Sequence, residues 1–165
     1  MTRHIFLFAA VAALLAACGP TNLTAPGGPS VYRISGAESR QIPVRVEESI
    51  NNLRAAAGAP PVRLDSQLTD ASASHSRDMA RQNRPWHFGS DGSSPLDRVS
   101  RTGFPGQFLG EAISETYETE LETLAAWMDQ PDTRAIILDP RARSLGFSWY
   151  QEESGKIWWT LVTGT

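Results

Sequence analysis

Residues 65–92 read DSQLTDASASHSRDMARQNRPWHFGSDG, and the physics of this run sets the fold. Leu68, Ala71, Ser72, His75 and Met79 recur at helical spacing, so they share one face of an amphipathic helix. Asp65 is an N-cap residue, whose side-chain oxygen can accept an orphan amide of the first turn, and the helix it opens reaches about Asn83. His75 therefore falls on the buried side. Pro85 to Gly92 is a loop ending in the Asp91-Gly92 turn signal, and it carries Trp86 and His87.

Upstream, Val46, Ile50, Leu53 and Ala57 keep a helical period from about Pro43, and Gly58 stands where a left-handed residue ends a helix. Downstream, Ser94 reads as an N-cap with Pro95 at the first helical position, opening a short helix that stops before Gly103. A Gly/Pro-rich loop from Gly103 to Gly110 precedes Glu111. Glu120 to Asp129 reads as a helix with Leu121, Leu124, Ala125 and Met128 inward, and Asp132 as the cap of one further turn. The period then changes. Leu145, Phe147 and Trp149 alternate with smaller or polar residues, Glu153-Ser154-Gly155 is a turn, and Ile157 to Thr163 is β-branched and aromatic, which predicts a hairpin. Helices followed by a C-terminal hairpin predict an α+β domain over residues 43–165. Trp158 and Trp159 are neighbours in a strand and must face opposite sides. With Trp127 and Trp149 they read as core and sheet cover, whereas Trp86, on a loop beside His87, is placed to cover a cleft mouth.

The N-terminus has a different character. Arg3 and His4 precede Ile5 to Leu15, an uncharged apolar run shorter than the ~20 residues a spanning helix needs. Residues 1–17 read as a signal peptide. Leu15-Ala16-Ala17-Cys18 resembles the lipobox of bacterial lipoproteins, which implies a lipid on Cys18 and attachment to a membrane through it. By the same resemblance Gly19, not being Asp, favours the outer membrane facing the periplasm in a cell with two membranes. Cys18 is the only cysteine, so no intramolecular disulfide can form. Residues 18–42, rich in Pro, Gly, Ser and Thr, read as a tether with a reach on the order of 27 Å, of which Val31 to Ile34 can instead lie on the domain as a short strand. Removing Arg3 from 15 basic residues leaves 14 against 18 acidic ones, a net charge of −4. With no Lys/Arg run, this balance lacks the footprint of a nucleic-acid binder.

Taken in order, the quoted words are specific. Asn51-Asn52-Leu53-Arg54, Pro60 to Asp65, the A-x-x-x-H-S-x-D-M run from Ala71 to Met79, His87 to Gly92 and Pro95 to Val99 are followed by Gly110-Glu111, Trp127, Pro131, Ile136 to Pro140 and Leu145-Gly146-Phe147. This series resembles the bacterial branch of the CAP superfamily, the SCP domain shared by cysteine-rich secretory proteins, antigen 5 and plant pathogenesis-related 1 proteins. The resemblance implies a three-layer α-β-α sandwich with a small antiparallel sheet between helical layers. It also implies a cleft of two His and one or two Glu that binds a divalent metal such as zinc in some members. His87 matches the first cleft His and Glu111 the cleft Glu. Thr133 occupies the position of the second His, and Gln130 that of a further Glu.

Zinc sites want about four ligands from Cys, His or carboxylate. His87, Glu111 and His75 are the candidate metal set, with His87 and Glu111 the candidate catalytic pair. Ser90 and Ser93, on the same loop as His87, are geometrically possible nucleophiles, but no nucleophile elbow is visible. Three readings remain open. The first is a membrane-tethered envelope module that binds a small apolar ligand, a peptide or a peptidoglycan fragment without catalysis, in a cleft around His87, Glu111 and Trp86. The second is a metal-assisted peptidase or cell-wall hydrolase using Glu111 and His87. The third is a scaffold that engages a partner protein.

Overall fold

The computed structural model describes residues 31–165. The expectations for residues 1–30, Cys18 and its lipid included, lie outside the described residues.

Four of the five described helices start at a side chain that satisfies their orphan amides. Ser35 and Glu38 form a reciprocal capping box at the start of α1 (Gly36–Ala56). Asp65 accepts from the Leu68 amide at the start of α2 (Ser66–Gln82), and Asn83 closes that helix in the left-handed conformation. Ser94 with Asp97 and Thr119 with Glu122 form the same box at α3 (Pro95–Arg101) and α4 (Glu120–Asp129). The fifth helix, α5 (Pro131–Leu138), begins on proline, whose missing N–H is no loss at a first turn.

The domain boundary at residue 43 needs correction. α1 begins at Gly36, so residues 36–42 are helical, and Pro43 lies inside the helix. The capping box and the complete burial of Ile42 outweigh the hydrogen bond that Pro43 cannot donate. Residues 31–35 form no strand, yet they are fastened to the hairpin. The Gln151 side chain accepts from the Ile34 amide (3.0 Å) and donates to the Tyr32 carbonyl (2.9 Å). Arg33 donates to the carbonyls of Glu152 and Glu153.

Four strands, β1 (Arg63–Leu64), β2 (Phe108–Ser114), β3 (Ser144–Gln151) and β4 (Ile157–Gly164), form one sheet in the order β1-β3-β4-β2. The long pairs are antiparallel, and the two-residue β1 adds a parallel edge to β3. All of β4 is buried, because both faces of the sheet are covered. On one face Ile157, Trp159 and Leu161 join Ile42, Val46 and Ile50 of α1, Leu124 and Trp127 of α4 and Ile137 of α5. On the other, Val162 meets Leu68 and Ala71 of α2 and Val99 of α3. The chain is thus the α-β-α sandwich expected. Gly146 makes the close approach of α2 possible, since a Cβ there would lie 2.2 Å from the Leu68 carbonyl carbon. In α4 the inward set is Glu120, Thr123, Leu124 and Trp127, and Leu121 is 46% exposed. No helix among the described residues is long and apolar enough to cross a membrane.

Candidate functional site

Glu111 sits in the middle of β2, not at the end of a loop. Its neighbours Gly110 and Ala112 face the large core, and a Cβ on Gly110 would lie 2.6 Å from Ile136 of α5. Strand alternation therefore sends the Glu111 carboxylate to the α2 face. There it is buried and converges with three cationic or imidazole groups. Arg98 of α3 donates through Nη2 to both carboxylate oxygens, at 2.9 and 2.7 Å. His87 Nδ1 lies 2.9 Å from Oε1, and His75 Nε2 lies 3.6 Å from the same atom. The structure thus brings His75, His87 and Glu111 together and inserts Arg98 among them.

The protons follow from the partners. A carboxylate only accepts, so His87 donates to Glu111 from Nδ1, and Nε2 of its half-exposed ring takes no part in that contact. The Trp86 carbonyl also only accepts, so His75, 2.9 Å away, carries its hydrogen on Nε2. Its Nδ1 is buried without a partner. Burial pushes the His75 pKa below its ordinary value, Glu111 opposes that shift and Arg98 reinforces it. His75 is consequently a neutral, fully buried donor.

The same side chains clamp the loop. Three successive carbonyls each accept from a different side chain: Trp86 from His75, His87 from Arg98 Nη1 at 2.9 Å, and Phe88 from Gln82 at 3.2 Å. Gln82 also accepts from the Trp86 indole at 2.9 Å. With the backbone held from beneath, Trp86 and the His87 ring are partly exposed while His87 Nδ1 reaches inward to Glu111. The Trp86 and Phe88 rings are 5.5 Å apart, and the Arg84 guanidinium lies 3.9 Å from the centre of the Trp86 ring. Phe88 is 48% exposed.

The donor set does not fit a divalent metal. Arg98 already places a positive charge on both Glu111 oxygens, and His75 turns an N–H, rather than a lone pair, toward them. Thr133 adds no ligand, because its hydroxyl donates to the Trp127 carbonyl at 2.5 Å and joins α5 to α4. Among the described residues, no group of three His, Cys, Asp or Glu is arranged as a metal site. The serine nucleophiles fare no better. The Ser90 hydroxyl donates to Asp78 at 2.7 Å, and no serine hydroxyl among the described residues bonds to a histidine.

Arg98 and Gln82 are the residues sequence reasoning missed. Arg98 was visible only as one charge of the Pro95–Val99 word, and since the strand that carries Glu111 has no local signal, nothing in the sequence marked Arg98 as the partner of a buried carboxylate.

Residues 47–163 match the sequence profile of CAP, the cysteine-rich secretory protein family. The Bacillus subtilis protein YkwD is 29% identical over 138 residues, covering 84% of this chain and 49% of that protein, so the chain spans about half its length. An outer surface protein of Borrelia burgdorferi superposes with a TM-score of 0.68 at 14% identity, over 77% of this chain and 94% of that one. An extracellular SCP-domain protein of Bacillus anthracis gives 0.66 at 22% identity, over 84% of this chain and 45% of that one.

Proposed function

Because this chain belongs to the cysteine-rich secretory protein (CAP) family, we propose that it is a non-catalytic recognition module of the cell envelope, whose Trp86–His87–Phe88 loop binds peptidoglycan fragments. The observation that carries this reading is the clamp on three successive carbonyls. A loop ordered before binding loses little entropy on binding, so its aromatic surface converts more fully into affinity. Two aromatic rings, a half-exposed imidazole and a guanidinium suit an amphipathic sugar–peptide ligand. A wholly apolar ligand wants ~70–90% of its surface enclosed, and this display is open. The envelope address draws on the lipobox-like Leu15–Cys18 and on the similarity to an outer surface protein and an extracellular protein.

The test is a titration of the full chain with soluble muropeptides, followed by tryptophan fluorescence and by the imidazole resonances of His87. Saturable binding that weakens at least about tenfold, about 1.4 kcal/mol, in Trp86→Ala and in His87→Ala supports the module. Absence of any response, with sedimented peptidoglycan also failing to retain the protein, ends it. A second reading rests on the His87–Glu111 pair, since a carboxylate-oriented imidazole can act as a base toward water. Release of peptidoglycan products that stops in His87→Ala would replace the binding role with a hydrolytic one.

A further inference from the structure

Helix α2 has a second polar wall, which the recognition loop does not use. Gly146, Ser148 and Tyr150 share the α2 face of β3 by strand alternation. Their side chains grow along the strand, so helix and strand, in contact at Leu68 and Gly146, leave a groove of about 600 Å³ at the Tyr150 end. Ligand clefts run to roughly 300–1,000 Å³. Arg77, Ala80, Arg81 and Asn83 line one side of the groove, and Tyr150 and Glu152 the other. Arg77 and Arg81 are one helical turn apart and so lie side by side. Arg77 spends one N–H on the Ala73 carbonyl (3.2 Å) and, among the described residues, pairs with no carboxylate. Arg81 donates to Asp78, which also holds the amide and hydroxyl of Ser90, so the cationic wall and the recognition loop share one support. Across the groove Glu152 is fixed in place. One of its oxygens accepts from the Trp158 indole at 2.7 Å and the other from the Ser154 hydroxyl at 3.1 Å. Two guanidiniums on the helix thus stand across from a carboxylate and an exposed phenol on the strand.

We propose that this groove is a subsite for the peptide stem of a peptidoglycan fragment, selecting stems that carry free carboxylates and a free amine together. The proposal rests on the binding role of the Trp86–His87–Phe88 loop, which holds the sugars of the same fragment. Stem carboxylates meet Arg77 and Arg81, whose planar forks donate two parallel N–H bonds to such a group. The amine, as an ammonium, meets Glu152, whose oxygens keep lone pairs beyond those given to Trp158 and Ser154. The groove starts beside the loop. Asn83 closes α2 just before it, and the guanidinium of the intervening Arg84 lies against the Trp86 ring. Charge complementarity singles out this occupant. A purely anionic chain would set its charge against Glu152, and a purely cationic one would meet two guanidiniums. A peptide bearing both signs satisfies both walls.

The experiment separates stem from sugar. The full chain is titrated by calorimetry with the N-acetylglucosamine–N-acetylmuramic acid disaccharide, its lactyl carboxyl amidated. The other probes are the free tripeptide L-Ala–γ-D-Glu–meso-diaminopimelate and the muropeptide that joins the two. The muropeptide should bind at least about tenfold more tightly than the disaccharide, and the tripeptide should bind on its own. Arg77→Gln, at an exposed side chain, should weaken muropeptide and tripeptide roughly fivefold and leave the disaccharide unchanged. Acetylating the distal amine of the diamino acid should weaken binding to the parent as much as Glu152→Gln does, and should change nothing further in Glu152→Gln. Circular dichroism confirms the fold of each variant. Equal affinity for disaccharide and muropeptide, or parental muropeptide affinity in both variants, overturns the subsite and leaves the loop's role standing. Tripeptide binding that weakens in Arg77→Gln, with no response to the disaccharide, supports the subsite and removes the sugars from the loop. Silence toward all the probes ends both.

Discussion

Glu111→Ala would leave the Arg98 guanidinium, 7% exposed, without the carboxylate that accepts from it at 2.7 and 2.9 Å. Breaking one side of a buried ion pair costs about 3–5 kcal/mol, because the surviving charge stays desolvated. The two carbonyls that Arg98 also serves, His87 and Ser93, keep it from swinging out to water without further loss. The internal standard is Arg101–Asp91, a pair of similar length (2.7 Å) whose side chains are 61% and 54% exposed. Solvent screens a pair of that kind, so it adds little to stability. Urea unfolding at neutral pH should thus separate Glu111→Ala from Asp91→Ala by at least about 2 kcal/mol, and melting temperatures should fall by roughly 10–20 °C in the first. Equal losses in the two variants would refute the reasoning, since burial would then have had no leverage on the pair.

Arg54 is wholly buried and donates to the carbonyls of Pro60, Ile137, Asp139 and Ala142 at 2.7–3.1 Å, so Arg54→Met should cost about 3–5 kcal/mol in the same urea assay. For His75 the folded pKa is depressed by burial below the ordinary 6.5, so its contribution to stability is full above that value and is lost as pH falls toward the folded pKa. The urea midpoint should therefore drop between about pH 7.5 and about pH 5, and His75→Gln, which can still donate to the Trp86 carbonyl, should flatten that part of the slope. Gly146→Val would force β3 away from the backbone of Leu68 and should abolish the cooperative thermal transition, checked by near-ultraviolet circular dichroism.

Helix α2 and the hairpin were legible because their signals are local. Asp65 caps, a five-residue stripe buries, Asn83 stops, and bulky residues alternate through β3 and β4. β2 was not legible, because its core-facing positions are Gly110 and Ala112 and its opposite face carries a glutamate, so no period-2 hydrophobic signal exists. Only pairing with β4 reveals it as a strand. The start of α1 was hidden by Pro43, which looks like a boundary from sequence but is carried by a cap eight residues earlier. The phase of α4 was misread because an inward position is polar: Glu120 is buried against Arg45, 2.6 Å away, while the apolar Leu121 points outward. At the site, family resemblance singled out His87 and Glu111, and the structure joins them at 2.9 Å. It could not rank Arg98, because one word of a motif does not say which of its charges turns inward.

The fastening of residues 31–35 has a mechanical consequence. Four hydrogen bonds tie this segment to Gln151, Glu152 and Glu153, at the turn between the two central strands. Tension arriving through the chain before residue 31 is delivered to the middle of the sheet before it reaches the first turn of α1. The display loop hangs from α2 and α3 instead, through His75, Gln82 and Arg98. The hairpin turn thus anchors residues 31–35 to the two central strands, through side chains separate from those that hold the carbonyls of Trp86, His87 and Phe88.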